Sequence, residues 1–184
     1  MPKVIISIPC HFSAPTELCG TTISRMHTTL TVRKPGDVIL LSGDVPYAAE
    51  GPTLGTLMRD WFIKNGVPEE SLCLLYGGVG TFSEARAACQ TVPHLEAREI
   101  VVVSSGWYLF AGKPIWRRRA AENNVKISFV SVASTGGWRT RLLYGLLGIV
   151  LRAGAATGFE RSLEKFFTTV QQKRKKGFTL NGCA

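Results

Sequence analysis

The residues of this 184-residue chain best suited to chemistry sit in a few short stretches rich in glycine and hydroxyl groups. The sharpest is Gly77-Gly78-Val79-Gly80-Thr81, followed by Phe82-Ser83-Glu84. A glycine-rich turn running into a helix start aims backbone N–H groups and the positive end of the helix dipole at one point, which suits a phosphate or a carboxylate. Thr81-Phe82-Ser83-Glu84 has the S/T-x-x-E form of a capping box, so a helix is predicted to start at Thr81 with Glu84 closing its first turn. The turn is not a Walker A loop, because no Gly-Lys-Ser/Thr follows, and it lacks the full G-x-G-x-x-G spacing. A second stretch is Ser42-Gly43-Asp44, whose Asp44 is the best-placed acid. A third is Ser104-Ser105-Gly106-Trp107-Tyr108. Pro9, Cys10, His11 and Ser13 form another, and Ser134-Thr135-Gly136-Gly137 the last. Cys10 and His11 have the types of a nucleophile and a base, but neighbours on an extended segment point apart. Arg25 is a cation within reach of an anionic ligand.

Each of these stretches follows a short apolar run: Val4–Ile8, Val38–Leu41, Leu72–Leu75, Ile100–Val103 and Ile127–Val132. These runs are rich in Val, Ile and Leu and lack polar alternation, as strands buried on both faces do. Between the second and third, Leu54, Leu57, Met58, Trp61 and Phe62 fall on one face of a helix predicted over 52–65. Pro52 suits its first turn and Gly66 the position past its end. Another helix is predicted from Thr81 to near Pro93. A further one spans 107–124, with Pro114 in or near its first turn. Leu18, Ile23, Met26 and Leu30 mark a helix within 14–32. Strand–helix–strand alternation predicts a doubly wound α/β fold: a mostly parallel five-stranded sheet with helices on both faces, in three layers. No repeat or linker divides the chain, so 1–184 reads as one domain, with a core of about 1–135 and C-terminal helices at about 138–176. In open parallel sheets the ligand lies outside the carboxyl ends of the strands. That is where Ser42, Gly43, Asp44, the Gly77–Thr81 turn, Ser104, Ser105 and Trp107 fall.

Charge divides the chain unevenly. Residues 1–98 hold eight Lys/Arg against nine Asp/Glu, and residues 99–184 fourteen against four. Arg117-Arg118-Arg119 and Lys173-Arg174-Lys175-Lys176 are the densest runs. A basic half attracts nucleic acid, an anionic membrane or a phosphorylated ligand, or serves as a solvated helix face and tail. No apolar run reaches the roughly 20 residues that cross a bilayer, and no signal peptide is recognisable. The expected compartment is the cytoplasm. The five cysteines fit no zinc or C-x-x-C spacing, so reduced thiols and no metal site are expected.

From Ile39 to Val132 the order of features resembles the YdcF/SanA/ElyC-like family, a domain of unknown function. The likeness rests on Leu40-Leu41-Ser42-Gly43, Met58-Arg59, Asn65-Gly66-Val67-Pro68-Glu69-Glu70, Thr81 with Ala85, Val101-Val102-Val103-Ser104-Ser105, and Arg117-Arg118-Arg119 before the strand at Ile127. Arg25 matches an arginine of the family's first helix. The resemblance implies a Rossmann-like fold and a nucleotide-like or phosphate-bearing ligand, S-adenosylmethionine among them. The chain departs from the family at several polar positions. Asp44 replaces a glycine, Leu75 an acid, Gly80 and Glu84 two asparagines, and Tyr108 and Ala111 a histidine and an arginine. Either the ligand differs or catalysis has gone. Separately, Gly77 to Glu84 is similar to the G-G-x-G-T-x-x-E core of LOG-type phosphoribohydrolases. There the glycines cradle the phosphate of a nucleoside monophosphate and the Glu assists at the ribose. Tyr76 in place of a proline, and the position of the turn after the third strand, depart from that pattern.

Overall fold

The structure is a computed structural model that describes residues 2–10, 12–43, 46, 51–77 and 80–133, together with 142, 145, 146, 148–150, 152, 153, 162, 165 and 169. Each apolar run becomes a strand. The chain enters through β1 (Val4–Ser7) and turns through a small hairpin, β2 (Phe12–Ala14) and β3 (Glu17–Leu18), into α1 (Gly20–Val32). It continues through β4 (Val38–Leu41), α2 (Leu54–Lys64) and a 3-10 turn (Glu69–Ser71) into β5 (Leu72–Leu74). Then follow α3 (Thr81–His94), β6 (Glu99–Ser105), α4 (Gly106–Glu122) and β7 (Lys126–Val132). The five long strands form one all-parallel sheet in the order β5-β4-β1-β6-β7. Counted along the chain, the sheet strands therefore lie third, second, first, fourth, fifth, the Rossmann-like order.

Register and burial sort every strand residue to a face. Ile6 lies beside Leu40 and Val102, and these pack with Phe82, Ala85, Leu109, Ile115 and Trp116 of α3 and α4. On the other face Ile39 and Leu41 pack with Met26 of α1 and with Met58 and Phe62 of α2. Helices thus cover both faces, which explains why the central strands show no polar alternation. The edge strand β7 is only half-buried, with Lys126, Ser128 and Ser131 exposed, because it has a neighbouring strand on one side only.

Four local expectations shift. Residues 12–18 form the hairpin, so α1 starts only at Gly20; Pro15 and Thr16 make the turn, where proline's fixed φ is favourable. Pro52 lies before α2 rather than inside it, and Thr53 caps the helix by accepting from Thr56 N at 3.1 Å. Pro114 lies inside α4, well past its first turn. Proline there leaves the carbonyl of Phe110 without its intrahelical donor. Arg152 Nη2 donates to that carbonyl at 3.1 Å, and its guanidinium stacks on the Phe110 ring at 4.3 Å. The capping box sits one residue early: Gly80 is the cap residue of α3, and Ser83, not Glu84, closes it, its hydroxyl accepting from Gly80 N at 3.1 Å. Of the helices expected near 138–176, the described positions are helical and the rest lie outside the described residues.

Gly43, two residues past β4, takes φ +104, and a Cβ there would meet Leu54 Cβ at 2.8 Å and Pro9 Cγ at 2.9 Å. Its carbonyl accepts from Gly55 N at 3.0 Å, joining the strand end to the first turn of α2. Gly43→Ala therefore loses about 2 kcal/mol of stability, read as a lower urea midpoint at unchanged slope. A midpoint within error of the parent would show that neither the backbone nor the contact is restrictive.

Candidate functional site

The sheet order reverses between β1 and β6, and the crevice above their carboxyl ends is where a fold of this kind holds its ligand. The register Ser7↔Val103 sets Ser7 and Ser105 on the α1 face, and Ser104 and Ser42 on the α3/α4 face. All four side chains are fully buried. Among the described residues the hydroxyls of Ser7, Ser42 and Ser104 have no partner in hydrogen-bond geometry. Buried polar atoms are nearly always satisfied, so three orphaned hydroxyls at the same end of one sheet are unusual.

Arg25 bridges the reversal point. Its side chain is fully buried. Nε and Nη2 donate to Ser105 Oγ at 3.2 and 2.9 Å, and Nη1 donates to the carbonyls of Ile8 and Pro9 at 2.7 and 3.1 Å. One helix thereby ties the end of β1 to the end of β6. The guanidinium carbon lies 5.5 Å from the Trp107 ring centroid and 6.0 Å from that of Tyr108. Burial pulls its pKa below the ordinary value. A guanidinium has five N–H groups, and these contacts occupy four. Among the described residues no carboxylate lies within ion-pair distance of it.

Glu84 approaches from α3. Displaced from the capping role, its side chain turns inward and is 7% exposed. Tyr108, from the first turn of α4, donates its hydroxyl to Glu84 Oε2 at 3.2 Å. Burial pushes the carboxyl up to about 7, against the smaller downward pulls of Tyr108, of Ser42 and of the Arg25 charge. Ser42 Oγ lies beside the carboxylate without reaching hydrogen-bond geometry. Burial, and then the charge of Glu84, push the Tyr108 hydroxyl well above its ordinary range. A carboxyl poised near neutrality can hold a proton or give it up at little cost, the property that acid–base work requires.

The structure thus brings together Arg25, Ser42, Glu84, Ser104, Ser105 and Trp107. Gly43 supports them from below. Gly77 takes φ +78, Gly80 is the extended cap of α3, and Thr81 lies in its first turn, its methyl near Gly112 of α4. Asp44, Gly78 and His11 lie outside the described residues. Tyr108, which the sequence places in the stretch after the fourth sheet strand, joins the cluster through Glu84. Ser7 also belongs to it, although it does not stand out in the sequence. Ser7 reads there as one more strand residue. Cys10 and Cys19 flank the hairpin beside Thr22, whose Oγ1 accepts from Cys10 N at 2.9 Å and meets Cys19 Sγ at 3.3 Å. A concavity lined by Pro93, Glu96, Arg98 and Asn124 lies at the amino ends of β6 and β7, the opposite end from these groups. Among the described residues no cluster of His, Cys, Asp and Glu could hold a metal, and no helix is long and apolar enough to cross a membrane. No family model, no curated protein and no solved structure matches the chain.

Proposed function

We propose that the chain is a Rossmann-like domain, similar to the YdcF-like family, that binds a nucleotide-like or phosphate-bearing anion in the crevice between β1 and β6. One observation carries the reading. Arg25 is a buried cation at the topological reversal point with no carboxylate within ion-pair distance among the described residues, Glu84 acting on it only at longer range. A buried charge without a close counter-ion costs several kcal/mol, and an anionic ligand placed above it offsets that cost. The orphaned hydroxyls of Ser42 and Ser104 add hydrogen-bonding capacity at the same strand ends. The faces of Trp107 and Tyr108 add surface for a flat base.

The test is a thermal-shift titration with S-adenosylmethionine, AMP, ATP and inorganic phosphate. A ligand at a hundred times its Kd adds about 2.7 kcal/mol, which raises Tm by roughly 5–10 °C for a domain of this size. Arg25→Met keeps the length and bulk of the side chain without its charge. It is expected to fold and to weaken the ligand on the order of a hundredfold. No shift with any of the four at millimolar concentration rejects the proposal, as does an Arg25→Met variant that binds as tightly as the parent. Release of free adenine from AMP during the titration would move the site to the phosphoribohydrolase reading, with Glu84 as the proton-handling group.

A further inference from the structure

Two thiols meet where the hairpin joins the sheet and α1. Cys10 lies between β1 and β2, and Cys19 follows β3 as the residue that caps α1. The hairpin pairs Phe12↔Leu18 and Ala14↔Glu17, so the two cysteines stand on opposite arms at its open end. Thr22 fixes their spacing, since its Oγ1 accepts from Cys10 N and also meets Cys19 Sγ. The Cys10 side chain lies against that of Cys19. This contact, and then burial, raises its proton affinity, while the Arg25 charge pulls the other way. Cys10 is half-buried and Cys19 buried, and no disulfide joins them in this structure. Cys73 and Cys89 are set apart with the α3 and α4 cluster.

A disulfide needs side chains that already point at each other, with Cα atoms roughly 4.4–6.8 Å apart. Opposite arms of an antiparallel hairpin offer such separations. The two sulfurs divide the work by their exposure. Cys10 is the more accessible and meets an oxidant first; Cys19, buried against it, completes the bond. With a peroxide as oxidant, the Cys10 thiolate attacks one peroxide oxygen. The O–O bond breaks, the sulfur becomes a sulfenic acid and the other oxygen leaves as hydroxide. The Cys19 thiolate then attacks that sulfur, the S–S bond forms, the S–O bond breaks and a second hydroxide leaves. The protons shed by the two thiols turn both hydroxides into water, so the dithiol has lost two electrons to one peroxide. Attack needs the thiolate, so the raised proton affinity of Cys10 slows closure at neutral pH. The product ties Cys10, the neighbour of the Pro9 carbonyl that Arg25 grips, to the cap of the helix that carries Arg25.

We infer that Cys10 and Cys19 form a dithiol modification site, which a peroxide closes to a disulfide that clips the end of β1 to the start of α1. The experiment treats the folded full chain with hydrogen peroxide at mildly alkaline pH, alkylates the remaining thiols in denaturant, and digests with trypsin. No Lys or Arg lies between Lys3 and Arg25, so residues 4–25 emerge as one peptide carrying both cysteines. That peptide is expected unalkylated and lighter by two hydrogens, with both thiols restored by dithiothreitol. The oxidised chain is expected to melt roughly 5–10 °C above the reduced one, because the closed loop restricts the unfolded chain. Cys19→Ser places a favoured cap residue before α1, so the variant folds. Its Cys10 has lost the resolving thiol and stops at the sulfenic acid, which dimedone captures. A 4–25 peptide with both cysteines alkylated overturns the inference. So does a bond from either cysteine to Cys73, Cys89, Cys183 or a second chain. An oxidised chain that melts no higher than the reduced one, or a Cys19→Ser chain without the dimedone adduct on Cys10, overturns it as well.

Discussion

Glu84→Gln flattens the stability of the protein between pH 4.5 and 7 and makes it more stable than the parent at pH 8. The sign follows from the direction of the shift. The carboxyl titrates near 7 in the folded protein and near 4.5 in the unfolded chain. Between those values the folded state holds a proton that the unfolded state has released, so stability falls as pH rises through that window. The full contribution is present below pH 4.5 and gone above about pH 7. A difference of this size corresponds to about 3 kcal/mol, or roughly 6–12 °C in Tm for a domain of this length. Glutamine is neutral throughout and its amide oxygen still accepts from Tyr108, so the variant keeps the network and drops the pH term. Glu122 is an exposed acid held below its ordinary value by Arg119 and Arg118, and its effect falls below pH 4.5, outside the window. The measurement is a set of thermal melts from pH 4 to 8 on both proteins. Parallel curves would mean that Glu84 is ionised and solvated in the native state, and the acid–base character of the site would go with it.

Trp116→Ala costs about 4 kcal/mol, the largest loss expected of any single truncation among the described residues. Trp116 is fully buried and is the largest fully buried side chain among the described residues. It sits in the cluster that unites α3 and α4 with β1, β4 and β6. Removing the indole leaves a cavity that neighbouring backbone cannot close, because Gly112 on the same helix already lies against Thr81 and Tyr108. Urea denaturation should show the midpoint falling at constant slope, and Trp116→Phe should recover more than half of the loss. A deficit under about 1 kcal/mol would mean that this layer repacks freely. The indole also stands close to the Tyr108 oxygen. The alanine variant should therefore disturb Tyr108 and Glu84 of the candidate site as well as the fold, whereas Glu84→Gln changes the proton there without emptying the core.

The sheet was legible in the sequence because parallel strands covered on both faces write themselves as uninterrupted Val, Ile and Leu. Val4–Ser7 and Val38–Leu41 are of this kind, and no competing period overlies them. The hairpin at 12–18 was hidden because its strands are two and three residues long, shorter than any periodicity can register. Pro114 was misplaced for a different reason. A proline reads as a helix start when nothing shows where its orphaned carbonyl goes, and here the acceptor is satisfied by Arg152, 42 positions along the chain. The candidate site was half legible. The rule that ligands meet the carboxyl ends of parallel strands pointed to Ser42, Ser104 and Ser105, which the sheet places together at one end. Glu84 was assigned a capping role because S/T-x-x-E fits 81–84, while the backbone realises the same geometry one residue earlier with Gly80 and Ser83. That shift of one residue turns Glu84 through a third of a helical turn, from the solvent-facing first turn towards Ser42 and Tyr108. Arg25 could be named from the sequence as a cation near the ligand. Its complete burial could not, since it depends on contacts 16 to 80 residues away.

The proline inside α4 has a mechanical consequence. The carbonyl that it frees is gripped by Arg152, so the helical segment that carries Arg152 and α4 share a fastening at Phe110. Phe110 lies two residues from Tyr108, whose hydroxyl holds Glu84. A displacement of the segment that carries Arg152 would therefore load the same helix that carries Tyr108. Where such a displacement changes the inner site's affinity, linkage requires the reverse effect by the same factor. A helix defect that costs one hydrogen bond would then serve as the joint through which the outside of the protein and its crevice exchange information.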